Sequence, residues 1–161
     1  MAVQIRGGNA LNYRGDALLL FHPSDVRPLS GTLALLDWRC NAAVSALWKL
    51  KPDLFKFGQL TVMAANRKVP TETVILTGLG AGEDFSRDLR IEAYHLALDA
   101  AFKLGGGKVA VESIPIAGVN DKSVLQDLAA AADLYEDKAK LTVSLFSSDK
   151  EFIFSLRNGS G

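Results

Sequence analysis

The chain of 161 residues is poor in cysteine and histidine, two of the residue types that most often build metal sites. Its single cysteine, Cys40, excludes an internal disulfide and any cysteine-rich zinc site. Only two histidines are present, and they lie far apart in the sequence. Because this cysteine usage is typical of a reducing cytosol, we expect a cytoplasmic protein with no metal and no cofactor.

The sequence also lacks an excess of charge and a long apolar run. Eighteen Lys and Arg residues balance eighteen Asp and Glu residues. This balance argues against a general nucleic-acid binder, which must neutralise many phosphates, but leaves a local basic patch open. No apolar run is longer than that of Ala17 to Phe21, which is far shorter than the roughly 20 residues of a membrane-spanning helix. Met1 to Arg6 is too short and too polar for a signal-peptide core, so we expect no membrane partner.

What the sequence does contain is an alternation of apolar strands and amphipathic helices. Ala17 to Phe21 has the length and flanking residues of a strand that is buried on both faces. Further strands are predicted at 60–64, 73–77 and 108–113, with a closing β-pair at 141–146 and 151–156. Strands separated by helices predict an α/β domain with three layers, α/β/α, around a mostly parallel mixed sheet. We expect 17–21, 74–77 and 109–111 to be adjacent central strands in one domain, 1–157, followed by a flexible tail, 158–161.

Three amphipathic helices are predicted between these strands. The first starts at Ser30 or Thr32 and ends before Pro52, which cannot continue a helix. Its apolar stripe consists of Leu33, Leu36, Cys40, Val44 and Leu47. Ser86 is the expected cap of the second helix, whose buried side is assigned to Leu89, Ala93, Leu96, Ala97, Ala100 and Leu104. The third starts at Asn120 or Asp121 and buries Val124, Leu128, Ala131, Ala132 and Tyr135.

One stretch of the sequence has a family pattern. An apolar strand ends in Gly78-Leu79-Gly80, and the helix that follows contains Leu89-Arg90. Gly15-Asp16-Ala17-Leu18-Leu19-Leu20 precedes this stretch, and Lys108-Val109-Ala110 follows it. Over residues 15–115 the chain resembles the N-terminal, non-catalytic domain of the leucyl aminopeptidase family. The resemblance implies a macro-domain-like fold.

The sequence departs from the family's functional patterns at two points. The family's zinc ions and catalytic groups belong to a C-terminal domain with an N-T-D-A-E-G-R-L motif, which this sequence does not contain. No catalytic residue is therefore carried over, and we expect neither bound zinc nor cleavage of leucine amides. Ligand-binding macro domains also have N-A-A-N after an early strand, where this chain has His22-Pro23-Ser24-Asp25.

Two loops are the candidate ligand-binding elements. In the first loop, Gly78 to Gly82, the glycines let backbone N–H groups approach an anion before a helix N-terminus. However, Glu83 and Asp84 place negative charge in the same loop, and glycines also suffice for a tight turn. The second loop follows the strand at 108–113, and the resemblance implies that it lies beside a ligand phosphate. The candidate ligand-binding residues are Gly78, Gly80, Ala81, Gly82, Ile116, Ala117, Gly118 and Asn120.

Neither histidine is predicted to have a chemical role. His95 shares a helix face with Glu92 and Asp99, but a metal site needs convergent ligands and supporting hydrogen bonds, so we favour a solvated face. His22 lies near Ser24 and Asp25, yet residues so close in one loop seldom form a nucleophile with its base. A turn or capping role is favoured there.

The first helix also carries a candidate interface. Leu35 and Trp38 lie across the helix from its apolar stripe, and tryptophan is enriched at protein interfaces. The alternative is that Trp38 packs inside the domain or under a neighbouring loop. Trp48, at the edge of the stripe, is expected in the core.

The sequence leaves three hypotheses for the function of this chain. The leading hypothesis is a non-catalytic interaction or assembly module that associates with itself or with a protein partner. The second is a macro-type module that binds a small ligand such as a nucleotide or an ADP-ribose-like molecule. A small hydrolase is third, because no nucleophile–base pair and no set of metal ligands is visible.

Overall fold

The computed structural model describes residues 2–116, 122–134, 141–147 and residue 154. Its ten main elements follow in chain order, and two short 3-10 helices at Ala10–Asn12 and Gly82–Asp84 supplement them. They are β1 (Ala2–Gly7), β2 (Ala17–His22), α1 (Gly31–Arg39), α2 (Ala43–Leu50), β3 (Leu60–Ala64), β4 (Thr73–Gly78), α3 (Arg87–Lys103), β5 (Lys108–Glu112), α4 (Ser123–Asp133) and β6 (Thr142–Ser147).

The strands form one mixed sheet in the order β1-β6-β5-β2-β4-β3. Every neighbouring pair is parallel except β3 with β4. All six residues of β2 are buried, as expected for a strand that lies between β5 and β4 with helices on both faces. The predicted three-layer α/β/α architecture and the predicted central position of these three strands are confirmed.

Alternate residues of the central strands pack into two separate cores. Leu19 and Ile75 face a core that α3 and α4 cover, whereas Leu18 and Leu76 face a core that α1 and α2 cover. This alternation follows from the two-residue period of a strand, whose successive side chains point to opposite faces. None of the helices among the described residues is long and apolar enough to cross a membrane.

The predicted first helix is wrong, because the structure has two helices in its place. The chain turns between α1 and α2, where Asn41 and Ala42 adopt left-handed backbone conformations with φ of 57° and 62°. Asp37, which is buried, accepts hydrogen bonds from the Val44 and Ser45 amides at the start of α2. The side chain of Asp37 therefore caps α2 from the preceding helix.

The prediction needs three other corrections. The prediction omits β1, which is an edge strand. Residues 141–146 were expected in a closing β-pair, but β6 lies between β1 and β5 and is parallel to both. The expected partner strand, 151–156, lies outside the described residues except for Phe154, which is helical and not in a strand. The buried face of α3 is rotated from the predicted one, since Leu104 is 57% exposed and Tyr94 and Leu98 are buried.

The remaining helix predictions are mostly confirmed. Ser86 caps α3 by accepting a hydrogen bond from the Leu89 amide. Ser30 occupies the N-cap position of α1, but its side chain makes no capping hydrogen bond. Trp48 is buried, as predicted. On α4 the described stripe residues are buried, namely Val124, Leu128, Ala131 and Ala132. The predicted start of this helix, Tyr135 and the tail 158–161 lie outside the described residues.

Candidate functional site

A cavity of about 340 Å³ lies beyond the carboxyl ends of β2, β4 and β5. Ligands bind at this edge in open parallel α/β sheets, because the loops that leave the strands diverge there. The volume falls within the range of small-molecule pockets, about 300–1,000 Å³. Its described lining residues are Phe21, His22, Pro23, Ser30, Gly31, Leu79, Gly82, Phe85, Glu112, Ser113, Ile114, Pro115 and Ile116.

Glu112 is the principal charged group of this cavity. It is the last residue of β5 and is half-buried beside the start of α1. Burial raises the pKa of the Glu112 carboxyl, and a hydrogen bond with Thr32 partly offsets this effect. Among the described lining residues no lysine or arginine balances the carboxylate. The cavity therefore offers an acceptor for hydroxyl or amino groups rather than a cation for an anion.

His22 forms another part of the lining, and its ring is fixed by several contacts. Nε2 lies 2.9 Å from the carbonyl oxygen of Val26, so the geometry fits an Nε2–H donor. Its ring packs edge-to-face against Trp48 and Phe55. Burial lowers the pKa of His22 despite this hydrogen bond and the nearby Asp25 carboxylate. The imidazole is thus favoured in its neutral form, and these contacts hold it at the end of β2.

The backbone conformation and packing of the loop at Gly78 to Gly82 explain why it contains glycines. A side chain at Gly78 would collide with the backbone of Phe55 and Lys56, and Gly80 has a φ of +70°. The amides of this loop also have partners in the protein: that of Leu79 donates to His22 and that of Gly80 donates to Phe55. The loop therefore turns tightly onto neighbouring backbone.

The predicted ligand-binding residues are only partly brought together. Gly82 and Ile116 line the cavity, whereas Gly78, Gly80 and Ala81 are not among its lining residues. The Gly82 amide faces the Asp25 carboxylate at 3.1 and 3.2 Å from its two oxygens. Ala117, Gly118 and Asn120 lie outside the described residues. A ligand role for any of these positions stays a prediction.

Comparison with known proteins identifies sequence relatives of this chain. No known protein-family profile matches the chain. A probable cytosol aminopeptidase of Cyanothece is 30% identical over 135 residues, which are 83% of this chain and 27% of that protein. Another from Synechocystis is 36% identical over 86 residues, 52% of this chain and 18% of that protein. The chain is homologous to the N-terminal part of the cytosol aminopeptidases. It spans about a quarter or less of the relatives that it matches.

Solved structures with similar folds include leucine aminopeptidases and macrodomains. A tomato leucine aminopeptidase variant superposes with a TM-score of 0.70 at 17% identity, over 99% of this chain and 35% of that one. A Trypanosoma brucei macrodomain in complex with ADP gives a TM-score of 0.75 at 12% identity, over 99% of this chain and 69% of that one. These likenesses establish that the fold is shared between macrodomains and the leucine aminopeptidase N-terminal region.

The cavity wall formed by the loop after β5 is held by residues that the sequence analysis missed. Arg90 of α3, which is 1% exposed, donates to the Ile114 carbonyl at 2.8 Å and pairs with Asp127 of α4 at 2.7 Å. The Ile114 amide donates to the Tyr94 hydroxyl at 3.0 Å. Burial opposes ionisation of Asp127, but hydrogen bonds from Arg87 and Arg90 outweigh it and hold the pKa of Asp127 below its usual value.

The signal for this network was present in the sequence. Arg90 lies three and four residues before Ala93 and Tyr94, so it belongs to the same helix face as they do. An arginine on a buried face needs a partner, because an unpaired buried charge is costly. The aminopeptidase-like Leu89-Arg90 pair thus includes a buried residue that anchors the cavity wall.

His95 and its helical neighbours do not form a metal site. Within 2–116, 122–134 and 141–147, no three His, Cys, Asp or Glu side chains group closely enough to hold a metal ion. Asp99 instead pairs with Lys103 at 2.7 Å.

The candidate interface residues are exposed on α1. Trp38 is 79% exposed and Leu35 is 50% exposed. The alternative that Trp38 packs inside the domain is therefore wrong. Whether another molecule covers this patch stays a prediction.

Proposed function

We propose that this chain is a macro-type binding module that holds a nucleotide-like small molecule in the cavity beyond β2, β4 and β5. The position of the cavity carries the proposal, because it combines three converging strand ends with a volume suited to a small ligand. The T. brucei macrodomain has been solved with ADP and with ADP-ribose. That precedent supports ADP-ribose as the first probe.

The lining of the cavity supports a ligand that is partly apolar and partly hydroxylated. Phe21, Leu79 and Phe85 offer surface on which a flat ring can pack. Glu112 offers carboxylate oxygens, and acidic residues bind ribose hydroxyl groups in other nucleotide sites. We therefore place the sugar of the ligand near Glu112 and the base against the apolar wall.

The proposed role is binding rather than catalysis. Ser30 and Ser113 are the hydroxyl-bearing side chains among the described lining residues. The Nε2 of His22 is engaged by the Val26 carbonyl and is not paired with either serine. A serine nucleophile needs a base within hydrogen-bond reach, and the described part of the cavity does not supply that arrangement.

Ser30 offers a direct test of the site. It is exposed, lines the cavity and makes no capping hydrogen bond, so its replacement removes no contact of that kind. We expect ADP-ribose to raise the melting temperature of the natural protein, since a ligand that binds the folded state stabilises it. Ser30→Trp should abolish this rise by filling the cavity, whereas Ser30→Ala should preserve it.

Differential scanning fluorimetry and isothermal titration calorimetry on the three proteins measure this outcome. ADP and adenosine serve as further probes, so that the contribution of the phosphates is separated from that of the nucleoside. The proposal is wrong if none of these probes binds the natural protein. It is also wrong if Ser30→Trp binds as tightly as Ser30→Ala.

A second candidate function is an assembly module, and the exposed Leu35–Trp38 patch is the observation that favours it. A tryptophan that faces solvent exposes apolar surface that a partner would cover. Both functions are compatible, because the patch lies on α1 outside the lining of the cavity.

A further inference from the structure

A second groove lies on the sheet face that α1 and α2 leave partly uncovered. It has a volume of about 380 Å³. The described residues that line it are Gln4, Arg6, Asn12, Tyr13, Arg14, Lys108, Thr142 and Ser144. Three of these carry positive charge, and none carries negative charge. This local excess of positive charge is present although basic and acidic residues are equal in number over the whole chain.

Strand register explains how these side chains meet. Gln4 of β1 lies opposite Ser144 of β6, and Thr142 of β6 lies opposite Lys108 of β5. Aligned positions of neighbouring strands point to the same face, and residues two apart on one strand share a face. The polar side of β1 and β6 therefore forms the floor of the groove. Asn12, which ends the first 3-10 helix, and Tyr13 and Arg14, which follow it, form its wall.

Among the described residues, no carboxylate forms an ion pair with the three cations of the groove. No ion pair there involves Arg6, Arg14 or Lys108. The carboxylate of Asp16 is close to Lys108, but it accepts the backbone amides of Gly107 and Lys108. Like charges that share a groove repel each other. An anion bound among them would remove this repulsion.

One of the cations, Arg6, makes two contacts with other residues of the groove. Arg6 donates to Gln4 Oε1 at 2.7 Å, and its guanidinium lies 5.9 Å from the centre of the Tyr13 ring. Tyr13 is buried and stacks edge-to-face on Phe146, so the ring is a rigid support. A guanidinium held in this way is suited to bidentate contact with a phosphate.

We propose that this groove binds the phosphate groups of a small phosphorylated molecule. Arg6 and Arg14 supply planar donors, Lys108 supplies a point charge, and Gln4 on the floor and Asn12 in the wall supply neutral donors. The site is separate from the cavity, because Lys108 and Thr142 are the first residues of their strands and the cavity lies beyond the last ones. The inference therefore does not depend on the proposed nucleotide function.

Inorganic pyrophosphate is the probe, because it carries the phosphate chemistry without a base that could occupy the cavity. Calorimetry at a fixed ionic strength should give one pyrophosphate per chain. A series of such titrations at increasing salt concentration should show falling affinity. The variant Arg6→Gln/Arg14→Gln/Lys108→Gln should bind at least about tenfold more weakly, because charge-assisted hydrogen bonds are lost. A matched control, Lys51→Gln/Lys56→Gln/Lys68→Gln, removes three exposed positive charges elsewhere and should bind normally.

The outcomes separate the proposal from its rivals. Absence of pyrophosphate binding to the natural protein overturns it. Equal weakening in both triple variants overturns it as well, since that result reflects net charge rather than the groove. A single-stranded oligonucleotide that binds far more tightly than pyrophosphate, and loses affinity only in the groove variant, would reassign the surface to nucleic acid. Ser30→Trp should leave pyrophosphate binding unchanged, and circular dichroism verifies the fold of each variant.

Discussion

At the scale of single residues, the carboxylate of Asp127 illustrates how burial decides the importance of an ion pair. It is 1% exposed and receives hydrogen bonds from two arginines of α3. Arg87 is 45% exposed, whereas Arg90 is 1% exposed and also donates to Ile114 and Ser123. Solvent screens the Arg87–Asp127 pair, whereas water cannot take the place of the buried contacts that Arg90 makes.

We therefore expect the two arginines to differ sharply when each is replaced by glutamine. Arg90→Gln should lower the free energy of unfolding by about 3 kcal/mol or more, because a buried pair loses one partner. Arg87→Gln should lower it by less than about 1 kcal/mol, as for exposed pairs. Urea unfolding at pH 7 measures both values. Equal losses would show that the buried network is not what holds α3 and α4 together.

At the scale of elements, the turn between α1 and α2 decides the shape of this layer. A single straight helix would have carried Cys40, Val44 and Leu47 along one stripe. In the structure the stripe is interrupted: Val44 is buried, whereas Cys40 and Leu47 are only partly buried. Ala42 pays a steric cost at the turn, because its φ of 62° favours glycine.

Replacing Ala42 with glycine should stabilise the protein. Ala42→Gly removes the steric strain of the left-handed conformation, and we expect a gain of about 0.5 kcal/mol after the greater freedom of the unfolded chain is counted. Ala46→Gly, in the exposed middle of α2, is the matched control and should lose about 1 kcal/mol. Both changes affect the unfolded chain similarly, so thermal and urea unfolding of the pair isolate the folded backbone. A loss for Ala42→Gly as large as the control's would contradict the strain.

At the scale of the whole molecule, the exposed patch on α1 bears on the state of assembly. Trp38 is 79% exposed, so its removal should change the free energy of unfolding by no more than about 0.5 kcal/mol. If the patch is a subunit contact, Trp38→Ala should shift the protein toward monomer, because tryptophans often dominate the energy of interfaces. Light scattering across a concentration series, together with thermal melts, measures both effects.

The control for this prediction is Leu104→Ala, which removes another exposed apolar side chain, from the end of α3. It should leave the mass unchanged. A natural protein that is monomeric at high concentration would exclude self-association through Trp38. An unchanged mass for Trp38→Ala in an oligomeric protein would place the interface elsewhere.

The sequence by itself determined the local and periodic features. Short apolar runs between helices are enough to identify β2, β4 and β5 as central, because a strand covered on both faces must be apolar at every position. Ser86 was identified as a cap because the chemistry of capping is local. The resemblance at Gly78-Leu79-Gly80 and Leu89-Arg90 correctly indicated homology to the N-terminal part of the cytosol aminopeptidases.

Only the tertiary structure decided which distant residues share a site. The hydrogen-bond partner of Glu112, Thr32, comes from α1, and the ion-pair partner of Arg90, Asp127, comes from α4. No sequence spacing encodes these contacts. The left-handed turn at Ala42 also escaped prediction, since Asp37 caps α2 from outside it. The basic groove arose from strands 1, 5 and 6, whose order in the sheet differs from their order in the chain. Pairing between distant strands sets this order, and periodicity reports only which face of each strand is apolar.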